Sequence, residues 1–349
     1  MQPGINIRLP NNLTIAIFMK LLLDCGSGGR ASQRLINDLF VRIFDNNILR
    51  KMDDAALLDI SGPIAMSTDS YTVTPIFFPG GDIGNLAVYG TVNDVSMLGA
   101  IPRYLSCGFI LEEGLDLGEL ETIVQSMSQA AIEAGVAIVT GDTKVVPKGA
   151  CDKIFINTTG IGEVVTEDPP SGQKARPGDA ILVSGTMGDH GLTIMSMREQ
   201  LSFISDIASD SAPLNGMCQE LLCIVGDIHV LRDPTRGGLA STLNEIAEQS
   251  KVLCMVDEEA IPVHAGVRSG CDLLGLDPLY LANEGKLICI LPQEKAQAAL
   301  ETMRQSQYGR NAAIIGRVEE GKAQVRLKTR IGGQRLLSML EGALLPRIC

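Results

Sequence analysis

The chain has 349 residues, with 29 Lys plus Arg against 41 Asp plus Glu and a formal charge of −12. With 45% hydrophobic and 20% charged residues it can bury the cores of about two domains. The acidic balance excludes a grip on bare nucleic acid or an anionic membrane through the overall field, and 4% aromatics with no Trp leaves few base-stacking platforms.

Residues 13–23, LTIAIFMKLLL, superficially resemble a secretory signal. Lys20 interrupts the apolar run, Asp24 stands where a small residue is wanted, and the stretch is shorter than the about 20 residues a membrane span needs. The simpler expectation starts the functional chain at Met19, with MKLLLDCGSGGR as an opening strand and Gly-rich loop and residues 1–18 as an extension without a structural role. Alternation marks 64–73 as a strand, and 82–99 reads as a helix with Pro102 beyond it. A strand at 103–111 follows. Residues 117–134 form the cleanest amphipathic helix, with Leu120, Ile123, Val124, Met127, Ala131 and Ala134 at helical spacing. Strands are expected at 136–142 and 153–164.

The Pro- and Gly-rich stretch 166–179 punctuates the chain, and AILVSG (180–185) opens a second half. Helices near 190–203, 212–225 and 237–250 and strands near 252–256, 285–291 and 312–318 complete it. Pro346 discourages helix in the last stretch. The expected organisation is α+β: a first domain at 19–165, a linker at 166–179, a second domain at 180–335 and a flexible tail at 336–349.

The nine cysteines are odd in number, irregularly spaced and without a CxxC pair, which fits reduced thiols in a cytoplasmic protein better than disulfides or a zinc site. The three histidines, His190, His229 and His264, are too scattered for a His-based metal centre. No P-loop and no GxGxxG after a strand occurs. Acidic residues instead recur beside small ones: Asp53-Asp54, Thr68-Asp69-Ser70, Asn93-Asp94, Gly141-Asp142-Thr143-Lys144, Asp189, Asp233 in RDPTRGG, and Asn283-Glu284-Gly285-Lys286. Singly, each reads as a cap or turn residue. Together they suggest oxygen ligands for Mg²⁺ bridging to phosphate, with Lys144 as a point charge and the glycines of CGSGGR (25–30) as a loop able to close over phosphates.

These segments in this order resemble the ATP-binding family of aminoimidazole ribonucleotide synthetase, selenophosphate synthetase and thiamine monophosphate kinase, and within it the HypE family of hydrogenase maturation factors. The resemblance runs from about Met19 to Cys349 and rests on GSGGR (26–30), TDSYTVTPIFFPGGDIG (68–84), GAIPRYLSCGFILEEGL (99–115), AIVTGDTKVV (137–146), SGTMGDHG (184–191), RDPTRGG (232–238), ANEGKL (282–287) and PRIC (346–349). It implies a two-domain aminoimidazole ribonucleotide synthetase-like fold that uses ATP and Mg²⁺ to dehydrate a carbamoyl group on its C-terminal cysteine to a thiocyanate, the source of the cyanide ligand of [NiFe]-hydrogenase. It implies Cys349 as covalent carrier, Glu284 as base and Lys144 as phosphate partner. Asp54, Asp69, Asp94, Asp142 and Asp233 are the expected metal ligands, with Thr68, Asn93, Gly28 and Gly29 at the nucleotide. It further implies a homodimer through the first domain, with ATP near the subunit interface, loading by the carbamoyltransferase HypF and delivery to a HypC–HypD complex. One departure is Cys25, where the family usually has His before GSGG.

On this reading Cys349 gains nothing from packing, its own α-carboxylate raises its thiol pKa, and Arg347 partly opposes this. From Leu336, the 14 terminal residues reach at most about 46 Å, enough to visit a partner and return. The rival expectations are an ATP-dependent phosphotransferase of the same fold working through Cys25, and a non-catalytic scaffold that presents its tail.

Overall fold

A computed structural model describes residues 20–26, 29–199, 207–339 and 347–349. The expected extension at 1–18, Gly28 and residues 340–346 of the tail lie outside these residues. Near the start, the expected opening strand reduces to one bridge between Lys20 and Asp116, followed by a 3-10 turn at Leu23–Gly26. Short helical pieces follow: α1 (Arg30–Leu35), a π-wound turn at Ile36–Val41, and α2 (Arg42–Phe44).

The first domain is a four-stranded sheet backed by two helices. Its strands are β1 (Ile64–Tyr71), β4 (Ala100–Glu112), β5 (Ala137–Val146) and β6 (Ile154–Val164), in the order β1-β6-β4-β5, while β2 (Phe77–Phe78) and β3 (Gly81–Asp82) form a small separate hairpin. The β1–β6 and β6–β4 pairs are antiparallel and β4–β5 is parallel. Helix α3 (Ile83–Met97) starts with a capping box between Asp82 and Asn85. Helix α4 (Leu117–Ala134) matches its expected bounds because both ends are chemically marked. Asp116 accepts the N–H groups of Gly118 and Glu119, and Gly135 takes the left-handed conformation past the end. Its apolar stripe, Leu120, Ile123, Val124 and Met127, is fully buried against the sheet.

The second domain is built on a seven-stranded sheet ordered β13-β12-β9-β11-β7-β10-β8. Its elements in chain order are β7 (Asp179–Val183), α5 (Asp189–Arg198), α6 (Asn215–Glu220) with a π-wound continuation to Val225, β8 (Val230–Arg232), α7 (Gly238–Ser250), β9 (Leu253–Asp257), α8 (Ala265–Leu274), β10 (Ile288–Pro292), α9 (Ala296–Gln305), β11 (Ala313–Glu319), β12 (Gln324–Lys328) and β13 (Gln334–Leu336). Helices α8 and α9 and strands β8, β12 and β13 were not anticipated by the sequence pattern. The stretch 166–179 is packed rather than loose: Asp179 accepts from His229 at 2.7 Å and Ser171 N–H donates to His229 O.

Candidate active site

The two domains meet at a cleft floored by β1 and α3 on one side and by three second-domain loops on the other. Residue alternation along β1 turns Ala65, Ser67, Asp69 and Tyr71 toward the helices, while Ile64, Met66, Thr68 and Ser70 face the open side of the sheet. Asp69 therefore shares the cleft with Asp94 of α3, whose carboxylate accepts from Ser67 Oγ at 2.7 Å. The RDPTRGG loop adds Asp233. Its glycines have a steric purpose: Gly237 and Gly238 sit at φ 77° and 60°, and a Cβ on Gly238 would lie 2.5 Å from Leu281 O. Helix α7 thus starts hard against the chain leading into Asn283 and Glu284.

The acidic groups of the cleft crowd one another. Burial and the charge of Asp69 raise Asp94, while burial and the charges of Asp94 and Asp69 push Asp233 up to about 7. Glu284 is 4% exposed, and burial, then Asp210 and the three cleft aspartates, drive its carboxyl well above the usual range. Its Oε1 has no hydrogen-bond partner among the described residues.

Cys349 is docked into this cleft. It is 8% exposed and belongs to the core cluster that includes Tyr71 and Val73, so packing does hold it, contrary to expectation. Thr72 donates its N–H (3.0 Å) and its hydroxyl (3.3 Å) to Cys349 O. His190, fully buried, donates Nε2–H to Ile348 O at 2.8 Å and accepts at Nδ1 from Ser209, the tautomer a neutral ring requires. Arg198 donates to Arg347 O, and Arg347 reaches Thr72 O (2.9 Å) and Asp152 (2.8 Å) and lies over Phe155. Burial and the Glu284 charge push the Cys349 thiol up to about 12, opposed by Arg236 and not, as expected, by Arg347.

A second group of expected residues lies at the other edge of the first-domain sheet. Asp142 and Lys144 project from β5 on the open face, exposed and paired with each other at 2.6 Å. The row Asp69, Thr158, Cys107, Gly141 crosses all four strands, which puts Asp69 and Gly141 about 14 Å apart, so Lys144 does not touch the cleft carboxylates of its own chain. Thr68 is on the open face, in a hydroxyl row with Thr159, Ser106 and Thr140. Asp54 is exposed beside that row, lining a shallow pocket with Ser106 and Thr140. Between α1, α2 and β5 lies an apolar cavity of about 310 Å³ whose walls include Phe40, Ile48, Met52 and Ile138 and whose rim carries Asp53, Asp142 and Lys144. Gly26, at the start of the Gly-rich loop, packs directly on β5, where a Cβ would meet Val145 N at 2.5 Å. Gly29 precedes α1 with open space around it.

Asn93, expected at the nucleotide, is 1% exposed and spends its amide on structure: it donates to Ala212 O and Glu284 O and accepts from Leu214 N–H. Sequence reasoning missed Thr72, although it sits inside TDSYTVTPIFFPGGDIG, and it missed Asp152, Arg198 and Asp210, which no motif marks; His190 sits inside SGTMGDHG. Among the described residues no group of three or more His, Cys, Asp or Glu side chains is arranged to hold a metal by itself, and no helix is long and apolar enough to cross a membrane.

Residues 52–164 match the AIR synthase related protein N-terminal domain, and residues 176–328 match the C-terminal domain of the same family. The chain is 55% identical over 326 residues to the carbamoyl dehydratase HypE of Azotobacter vinelandii, covering 93% of this chain and 96% of that protein. A crystal structure of the hydrogenase maturation protein HypE in complex with ATP superposes with a TM-score of 0.92 at 68% identity, covering 94% of this chain and all of that one. A HypE–HypF complex matches with a TM-score of 0.78 at 50% identity, over 88% of this chain and 99% of the other. With both domains matched and identity this high over nearly the whole length, the chain belongs to the HypE family of hydrogenase maturation proteins.

Proposed function

We propose that this chain carries a carbamoyl group on Cys349 and uses ATP to dehydrate it to a thiocyanate, the cyanide donor for a [NiFe]-hydrogenase. The observation that carries this reading is the docked Cys349: its thiol is buried near the buried Glu284 carboxylate, one oxygen of which has no hydrogen-bond partner among the described residues. ATP binding is supported by the ATP complex of the similar HypE. The carbamoyl oxygen takes the γ-phosphoryl group, releasing ADP and one N–H proton. Loss of the second N–H proton then expels phosphate as the C≡N bond forms. Glu284 is the acceptor for these protons, because burial among like charges makes its carboxylate bind a proton more readily than one in water.

Mg²⁺ fits the cleft by donor chemistry. Asp69, Asp94 and Asp233 offer hard carboxylate oxygens whose mutual repulsion a cation relieves, and phosphate oxygens would complete the set. When bound, the ion supplies charge neutralisation on the phosphates. Residues of this chain do the rest: Thr72, His190 and Arg198 hold the tail, which leaves the Cys349 thiol within reach of the Glu284 charge.

The two separated groups of candidate residues support a homodimer. The open face of the first-domain sheet exposes Ile64, Met66 and Ile110, and β1 and β5 are both edge strands. A two-fold pairing of these faces would bring Asp142 and Lys144 of one copy toward β1 of the other. The adenine then fits the apolar cavity beside β5, with the phosphates directed to the cleft aspartates. Loading by HypF is supported by the similar HypE–HypF complex, and a HypC–HypD complex is the proposed acceptor. The test is intact mass: carbamoylated protein given Mg-ATP should lose about one water's mass from its C-terminal peptide. An unchanged mass would overturn the reading and favour a scaffold.

A further inference from the structure

We propose that Asp210 is a positioning residue that clamps the segment 284–286, through two backbone N–H groups and the Lys286 side chain, and so aims the Glu284 carboxylate at the group on Cys349. The proposal rests on the reading of Glu284 as the base. Glu284 sits in a loop, and its own carboxylate has no bond among the described residues that would fix it at Oε1. Its aim must therefore come from the backbone, and one carboxylate holds that backbone. Asp210 Oδ1 accepts the N–H of Glu284 at 3.1 Å, Oδ2 accepts the N–H of Gly285 at 3.3 Å, and Oδ2 also takes Lys286 Nζ at 3.0 Å.

Three consecutive residues thus converge on one side chain that is 3% exposed. The contact is also sterically tuned. A Cβ on Gly285 would lie 1.8 Å from Asp210 O, so the two loops can close together only with glycine at 285. Asn93 locks the same pair of loops from α3 through Ala212 O and Glu284 O. Burial alone would raise the Asp210 carboxyl, but the Lys286 ammonium and the backbone N–H of Glu284 outweigh it and hold it below its ordinary range. Its bonds to the loop are therefore charge-assisted, the strong kind.

Asp210→Asn keeps the shape of the side chain but removes the charge and turns one acceptor into a donor facing Gly285 N–H and Lys286. Dehydration of pre-carbamoylated chain should slow about 10- to 100-fold in kcat, with the KM for ATP within about twofold of the parent, since on this reading the adenine lies in the apolar cavity beside β5, away from this loop. In a Glu284→Gln background, adding Asp210→Asn should cost less than about twofold more, because Asp210 acts through Glu284. A shift confined to KM, an unchanged kcat, or a full additive loss in the Glu284→Gln background would overturn the proposal. Should Asp210→Asn fail to fold, Gly285→Ala keeps Asp210 yet forces the loops apart. It is expected to reproduce the kcat loss, and parent-like activity would overturn the clamp. A Glu284→Gln chain that dehydrates at the parent rate would instead remove the reading of Glu284 as base.

Discussion

The interdomain cleft and the β5 edge both carry aspartates beside small residues, but their charges are handled in opposite ways. In the cleft, Asp94, Asp233 and Glu284 are crowded by like charge and burial, so each holds a proton more tightly than in water. At the edge, Asp142 is exposed, and its bond to Lys144 holds it below the ordinary carboxylate range. The difference teaches where work is stored. A crowded cleft gains by taking up a cation or giving a carboxylate a proton to carry, whereas a self-neutralised surface pair suits recognition.

The comparison breaks first on the chemistry itself. Cys349→Ala should abolish the mass loss outright, and Glu284→Gln should lower its rate by at least about 100-fold, a typical effect of removing a general base. Edge residues should not behave this way. An Asp142→Asn chain that lost the reaction as completely as Glu284→Gln would show that the two regions do not divide the labour as argued.

Thiol reactivity sharpens the comparison next. Docked, the Cys349 thiol is pushed up to about 12, so at pH 8 its thiolate is scarce. An undocked tail returns the thiol toward the ordinary value near 8.5, raising the thiolate fraction by up to about a thousandfold. Arg347→Ala and Asp152→Ala each cut the pair that pins the tail to the β1–β6 end of the sheet. Both should speed alkylation of Cys349 by iodoacetamide, followed by peptide mass. Equal rates in parent and variants would mean that these contacts do not keep the tail docked.

A smaller effect is expected at the apolar cavity. Met52 is half-exposed at its wall, so Met52→Arg obstructs the cavity without emptying the core. If adenine binds there, KM for ATP should rise about tenfold while kcat stays within about twofold, the signature of lost uniform binding. A fall in kcat with KM unchanged would move the adenine elsewhere.

Some of this was legible in the residues and some was not, for physical reasons. Helix α4 was readable to its ends because Asp116, Gly135 and a wide apolar stripe all agree. Helix α9 buries Ala296, Ala299 and Met303, and mostly small residues give a faint periodic signal. Strands β8 and β13 are three residues each, too short for an alternation to register. In the site, Glu284 stood out within NEGK, whereas Asp210 lies in an unremarkable polar loop and matters only through a contact 74 residues away in sequence. The docking of Cys349 likewise depends on Thr72, 277 residues earlier. Pattern reading finds residues that share a motif. It does not find those that meet through the fold.

The smallest effect concerns stability, and it has opposite signs in the two regions. Asp233, at about 7 in the fold against an ordinary value near 4, retains a proton that the unfolded chain has released across that interval. The folded state then binds more protons than the unfolded one, so this group makes stability fall as pH rises from about 4 to about 7 and leaves it flat above. Asp142 has the reverse linkage. Its lowered pKa contributes above the unfolded value and is lost on acidification, weakly, because the pair is exposed. Between pH 5 and pH 7.5 the cleft therefore dominates. The melting temperature of the chain without nucleotide or metal should drop over this range, and Asp233→Asn, which cannot ionise, should flatten the drop while Asp142→Asn leaves it in place. Mg-ATP should flatten it too, since a cation at the carboxylate removes its reason to keep the proton. A drop that persists undiminished in Asp233→Asn would assign the crowding to Asp94 or Glu284 instead, and the same scan on Asp94→Asn and Glu284→Gln would tell which.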